Sequence, residues 1–159
     1  AFIGLSRIHH FANTSYALMA VFILLHTVGG HYTFERVPFD WFSELFGFER
    51  NHYDRIAHFS VGFYAYPLAE WMVTRRLVRT GWIVALFPLF AIIAVAGVYE
   101  IFEWQYAISA DASAGIAVLG SQGDIWDAQK DILADTLGAL SVPSLYFVRH
   151  RIAIGRLSD

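Results

Sequence analysis

The sequence predicts an all-α fold: a polytopic membrane helix bundle with about four transmembrane helices plus a short interfacial helix. Three observations predict it. Hydrophobic residues make up 57% of the 159 residues and charged residues only 16%, where a soluble domain is nearer one quarter charged. Four apolar runs approach the roughly 20 residues needed to cross the hydrocarbon core. Five Trp and eight Tyr are present, and several aromatics (Trp41, Trp71, Trp82, Trp104, Trp126, Tyr146) stand near the ends of those runs, as interfacial belts require. A mean hydropathy of +0.46 agrees. The length suits one transmembrane domain over residues 1–159.

The first span is expected at about residues 11–30. It lacks the small-residue cleavage site of a signal peptide and reads as a true span. In the segment after it, Pro38 precedes Phe39, Trp41, Phe42, Leu45, Phe46 and Phe48, mixed with Asp40, Glu44 and Glu49. That pattern is a short amphipathic helix lying on the interface. The second span is about 56–73 and carries His58. The third is about 82–104, and the Ala-, Ser- and Gly-rich stretch 106–124 reads as a compact re-entrant or surface loop. The fourth, about 125–148, carries Asp127, Asp131 and Asp135.

Lys and Arg set the orientation. Arg7, the tight turn with Arg75, Arg76 and Arg79, and Arg149, Arg151 and Arg156 fall on one side of a four-span chain. Arg36, Arg50, Arg55 and Lys130 fall on the other, among a larger number of acids. The positive-inside rule then makes both termini cytoplasmic.

That topology gathers chemistry at the outer end. Asp54 and His58 stand at i and i+4, on one helix face. Glu100 and Glu103 close the third span. Asp124, Asp127, Asp131, Asp135 and Gly138 fall within an arc of about 80° at 100° per residue. Asp135 lies about 15 Å along the helix from Ile125. Charge within a bilayer costs about 2.5–3.5 kcal/mol per residue or more, so such a face turns inward and is offset by protons, by Arg50, Arg55 or Lys130, or by a cation. The expected metal ligands are His58, Glu100, Glu103, Asp127, Asp131 and Asp135, a donor set suited to a divalent ion such as Mg²⁺, Mn²⁺, Ca²⁺ or Zn²⁺ and equally to acid–base work.

The plainer reading of the same residues is a polar network tying helices together. Glu49, Asp54 and Asp124 also read as solvated interfacial charges, and His31 and His52 as loop residues. Asp124 and Asp127 complement a helix dipole. Gly138 reads as a helix-packing residue, and the 39–48 aromatics as a membrane anchor.

Several classes are excluded or disfavoured. A net charge of −3 argues against a nucleic-acid partner. The absence of Cys removes disulfides, thiolate metal sites and cysteine nucleophiles. No nucleotide loop, Ser-His-Asp signature or haem motif is visible; His10 and His26 are the histidines available to ligate a pigment or haem.

The stretches HTVGGHYTFERVPF, ERNHYDRIAHFSVGF, YEIFEWQ and GSQGDIWDAQKDILADTLGAL closely resemble the YjdF-type family of bacterial inner-membrane proteins, over about residues 25–140. More distantly, Asp54, His58, Glu103, Gln105, Asp131, Asp135 and Gly138 look like the VanZ-like superfamily, which usually carries Asn where this chain has Asp135. The YjdF resemblance implies a multi-pass protein of the bacterial inner membrane and supplies no reaction. Proteins of this type commonly carry further hydrophobic helices upstream, so a shortened version or a fragment is expected here.

The first functional reading is a membrane-embedded site near the outer face that binds a divalent cation and a polar or anionic lipid head group. Hydrolysis or group transfer there would use His58 or a carboxylate as base. The second is a non-catalytic accessory or scaffold subunit of a larger membrane complex. The third, proton or ion movement along Asp127, Asp131 and Asp135, ranks last, because the fourth span is apolar after Thr136 apart from Ser141 and Ser144. Expected partners are membrane lipids and other membrane subunits.

Overall fold

The computed structural model describes residues 10–111, 115, 119 and 121–150. The regular elements among them are helical: α1 (Asn13–Tyr32), α2 (Asp40–Phe46), α3 (Tyr53–Val61), a 3-10 turn (Gly62–Tyr64), α4 (Ala65–Thr74), α5 (Gly81–Ser109) and α6 (Asp127–His150). Of these, α1, α5 and α6 are long and apolar enough to cross a membrane. The all-α membrane bundle expected from the sequence is thus observed.

The second expected span is a helical stretch in three pieces, starting at Tyr53 and ending at Thr74. The break has a local cause. Pro67 has no N–H, and its ring excludes the carbonyl four residues earlier, at Phe63. The chain tightens over Gly62–Tyr64, where the Ala65 N–H reaches back to the Gly62 carbonyl. Prolines inside α5 (Pro88) and α6 (Pro143) do not end those helices.

The third span runs further than expected, through Ser109. Nothing in Gln105–Ser109 breaks a helix, and the Ser109 hydroxyl donates back to the Gln105 and Tyr106 carbonyls at 2.9 and 3.1 Å. The expected 106–124 loop therefore begins later. Gly115 and Leu119 are helical, and its residues 112–114, 116–118 and 120 lie outside the described residues. The fourth helix starts at Asp127 rather than Ile125, because Asp124 makes a turn first: its carboxylate accepts the Trp126 N–H at 3.1 Å. Arg7, Arg151 and Arg156 lie outside the described residues.

The amphipathic segment forms α2. It ends at Gly47, whose φ of +69° is one that a side chain rarely adopts. Trp41, Leu45, Phe46 and Phe48 are exposed, while Phe39 and Phe42 stack at 4.8 Å and Phe39 meets Tyr53 edge-on at 5.5 Å.

Large apolar side chains point outward along α1, α5 and α6, among them Leu24, Phe90, Val95, Phe102 and Leu133. Lipid is as apolar as leucine, so burying these would gain little; close packing and buried polar contacts hold the helices instead. Packing concentrates where Tyr66, Ala69, Val84, Val142 and Tyr146 meet, with Tyr66 and Tyr146 edge-to-face at 5.1 Å. A second group, Val37, Tyr53 and Ala57, joins the α1–α2 connection to α3.

Candidate functional site

Asp54 and His58 share one face of α3, and Asp127, Asp131 and Asp135, each four residues on, share one face of α6. All five are buried. The faces meet because two glycines let the backbones touch. A Cβ at Gly138 would stand 2.0 Å from the Phe59 carbonyl oxygen, and one at Gly62 would stand 2.1 Å from the Ala139 nitrogen.

His58 is the junction. Its Nδ1–H donates to Asp135 Oδ1 at 3.2 Å. Its other edge faces two carboxylates, with Nε2 3.6 Å from Asp54 Oδ1 and 3.7 Å from Asp131 Oδ1. One ligand atom from each of Asp54, His58 and Asp131 lies within 4.8 Å of the others.

Arginines close the other side of the acid row. The Arg55 guanidinium donates to Asp131 with one nitrogen and to Asp127 with the other, and it lies 3.7 Å from Asp54 and 3.6 Å from Asp124. Arg50 donates to Asp127 at 3.0 Å and to Asp124 at 3.3 Å. Lys130 reaches Asp124 at 2.6 Å. The Lys130 hydrogen bond, then the Trp126 N–H, hold the Asp124 carboxyl below the usual carboxylate range.

Loop residues fix these elements. Asn51 and Gln122 exchange backbone-to-amide bonds, both at 3.0 Å, tying the chain before α3 to the chain before α6. Asn51 also donates to the Val37 carbonyl at 2.7 Å and accepts the Tyr53 N–H at 2.9 Å. Its side chain thereby satisfies backbone groups at the start of α3.

The third wall is α5. A cavity of about 150 Å³ opens between it, α1 and α3, with Asp54, His58, Glu103 and Asp135 on its polar side and Phe22 and Val95 on its apolar side. Tyr99 stands beside the Glu103 carboxylate, both on the cavity wall. The Oε1 of Glu100 is buried with no hydrogen-bond partner among the described residues.

A family model described as "Predicted membrane protein (DUF2238)" matches residues 1–152. The chain belongs to the DUF2238 family of predicted membrane proteins. It is also similar to the inner membrane protein YjdF of Escherichia coli (strain K12), 34% identical over 128 residues, which cover 79% of this chain and 61% of that protein. The chain thus spans less than two thirds of that relative's length. No solved structure matches it. These findings bear out the YjdF-type resemblance, and this DUF2238 chain is an integral membrane protein with a buried Asp/His group.

Of the expected ligands, the DUF2238 chain brings His58, Asp131 and Asp135 together, with Asp54 completing the group. Asp127 faces Arg50 and Arg55 instead. Glu103 stands on the cavity wall, while the buried Oε1 of Glu100 makes no hydrogen bond among the described residues. Sequence reasoning missed Tyr99 and Glu70. Glu70 is a buried acid on α4 that accepts the Ser15 hydroxyl and, at 2.7 Å, the Ala12 N–H. A lone acid in an apolar run was its signal.

Proposed function

We propose that this protein binds a divalent cation within the membrane at Asp54, His58 and Asp131, and through it a polar or anionic lipid head group. The edge of His58 carries the reading. With Nδ1–H given to Asp135, a neutral ring would turn its Nε2 lone pair toward two carboxylates, so the arrangement calls for a positive charge there, a ring proton or a bound cation. A protonated imidazole in direct ion pairs would stand about 2.7–2.9 Å from its partners. Two ligand atoms about 2.0–2.2 Å from one small ion stand about 3.4 Å apart. The spacings of 3.6 and 3.7 Å are nearer the second figure. Asp135 takes the role of the outer carboxylate that orients a ligating histidine.

Charge balance supports the same reading. Asp54, Glu100, Glu103, Asp124, Asp127, Asp131 and Asp135 outnumber Arg50, Arg55 and Lys130, even with His58 counted as charged. Glu103 and Glu100 stand ready as further ligands, and Asp127 balances the arginines. With both termini cytoplasmic in the bacterial inner membrane, the site opens toward the outer leaflet.

The test is a Mn²⁺ titration of detergent-purified protein followed by paramagnetic resonance. One ion per chain is expected. His58→Ala abolishes binding, and Asp135→Asn weakens it about 10–100-fold. In thermal unfolding, a chelator lowers the melting temperature of the wild type but not that of Asp131→Asn. If no ion binds and the chelator moves neither melting temperature, the cation reading is abandoned.

A second reading then takes its place: a non-catalytic subunit of a membrane complex. The Arg50 and Arg55 network on Asp124, Asp127 and Asp131 favours it, since such a network locks helix register without any ligand. Its test is native-detergent co-purification, where a partner band that survives Asp131→Asn supports the subunit role.

A further inference from the structure

Beside the acidic cavity lies a second hollow of about 300 Å³, walled by apolar and aromatic side chains including Tyr64, Leu68, Ala91 and Ile92. Phe22, Val61 and Val95 line both hollows, so the two are neighbours. From Val61 to Leu68 the trench descends about 10 Å along the second helical stretch, at 1.5 Å per residue. Its floor is the 3-10 turn and the start of α4, and its sides are α1 and α5. Among the described residues those two helices make no extensive contact, so the trench opens sideways between them. At the junction of the hollows the Phe22 ring meets Tyr64 edge-on at 4.9 Å and His26 at 4.0 Å.

We infer that the trench holds the single hydrocarbon chain of a lipid phosphate whose head group occupies the acidic cavity, having entered sideways between α1 and α5. This deepens the cation reading and rests on it for the head group. The trench volume lies at the bottom of the range of about 300–1,000 Å³ that small-molecule sites occupy, enough for a segment of one chain and not for two. Adjacency to the charged cavity separates it from an ordinary lipid-facing groove, because a chain lying there brings its polar end toward His58 and Glu103 past the shared Phe22, Val61 and Val95. A phosphate is the head group that matches, since a cation held by carboxylates retains open positions for anionic oxygen ligands.

The probe is lysophosphatidic acid with a photoactivatable diazirine in its chain, added to the protein in phosphatidylcholine nanodiscs. Crosslinks are expected in residues 61–68 and 91–95. Ala91→Phe fills the trench and lowers labelling at least fivefold, with Mn²⁺ binding and melting temperature unchanged. Leu68→Trp, at a position that lines the second hollow and not the acidic cavity, does the same should Ala91→Phe fold poorly. A chelator lowers labelling in the wild type. Labelling that ignores both substitutions, or that spreads evenly onto the lipid-facing side of α6, overturns the inference. Labelling lost in Ala91→Phe but indifferent to chelator upholds the chain groove while removing the cation from head-group recognition.

Discussion

Gly62 and Gly138 occupy each other's missing side-chain space. The Cβ that Gly138 lacks would stand 3.2 Å from the Gly62 Cα, and the one that Gly62 lacks would stand 2.6 Å from the Gly138 Cα. About one turn earlier on each helix, His58 meets Asp135 at 3.2 Å. The contact that lets α6 lie against the 3-10 turn is therefore also the one that sets the histidine.

Gly138→Ala forces that contact apart, since the atom it meets is backbone and cannot rotate away. A loss of about 3 kcal/mol is expected, at the upper end for overpacking. Gly97→Ala is the control: its Cβ meets nothing within 4 Å, and alanine is the better helix former by up to about 1 kcal/mol. Equilibrium unfolding in mixed micelles compares the two, and equal stability of both variants would refute the close-approach argument.

Arg55→Gln leaves Asp127 and Asp131 without their shared guanidinium. Breaking a buried ion pair from one side costs about 3–5 kcal/mol, and the low end applies because the Arg55 side chain remains 15% exposed. Arg55→Lys restores the charge but not the two-pronged donor, so partial recovery is expected. The vacated carboxylates should bind Mn²⁺ several-fold more tightly, so that added Mn²⁺ restores part of the lost stability. A variant as stable as the wild type without metal would remove the pair from the account of the fold.

Glu70 joins α4 to the start of α1 through Ser15 and Ala12. Glu70→Ala leaves those donors unsatisfied and should cost about 1–3 kcal/mol. Glu70→Gln keeps one acceptor and should cost less. Neither should alter Mn²⁺ affinity, because the residue lies at the far end of the second helical stretch from His58. A change in affinity would show that the two ends are coupled.

Asp124 supplies a pH dependence. Its folded value is depressed by Lys130 and the Trp126 N–H, so its contribution to stability is fully present above the unfolded value of about 3.9. That contribution fades as pH falls through the lower folded value. Melting temperatures of wild type and Asp124→Asn should converge as pH falls from about 4 toward 2. Curves that stay parallel over that interval would exclude the contribution.

The helical spacing of Asp54 with His58, and of Asp127, Asp131 and Asp135, was legible because a period near four leaves no other face for buried charge. Gly138 was legible as a packing residue for a similar reason. The partner of Glu70 was not, since Ser15 is 55 positions away and no local pattern joins them. The 3-10 turn had a signal in Pro67, whose effect falls four residues earlier. The division of labour between Asp127 and Asp131 was hidden too: both share one helix face, and only the reach of Arg50 and Arg55 separates them.

The pairing of Arg55 with Asp131 also bears on how the chain enters the bilayer. Alone in lipid, α6 would carry Asp131 and Asp135 at a combined cost of about 5–7 kcal/mol, and the stretch bearing Arg55 would be similarly penalised. Each neutralises the other, but they are 76 residues apart, about 4–15 s of synthesis at 5–20 residues per second. For that interval the only carboxylate near Arg55 on its own segment is Asp54. The pairing of Arg55 with Asp127 and Asp131 is completed only when the later segment emerges, so stable insertion of the two segments is expected to be a paired event rather than a helix-by-helix one.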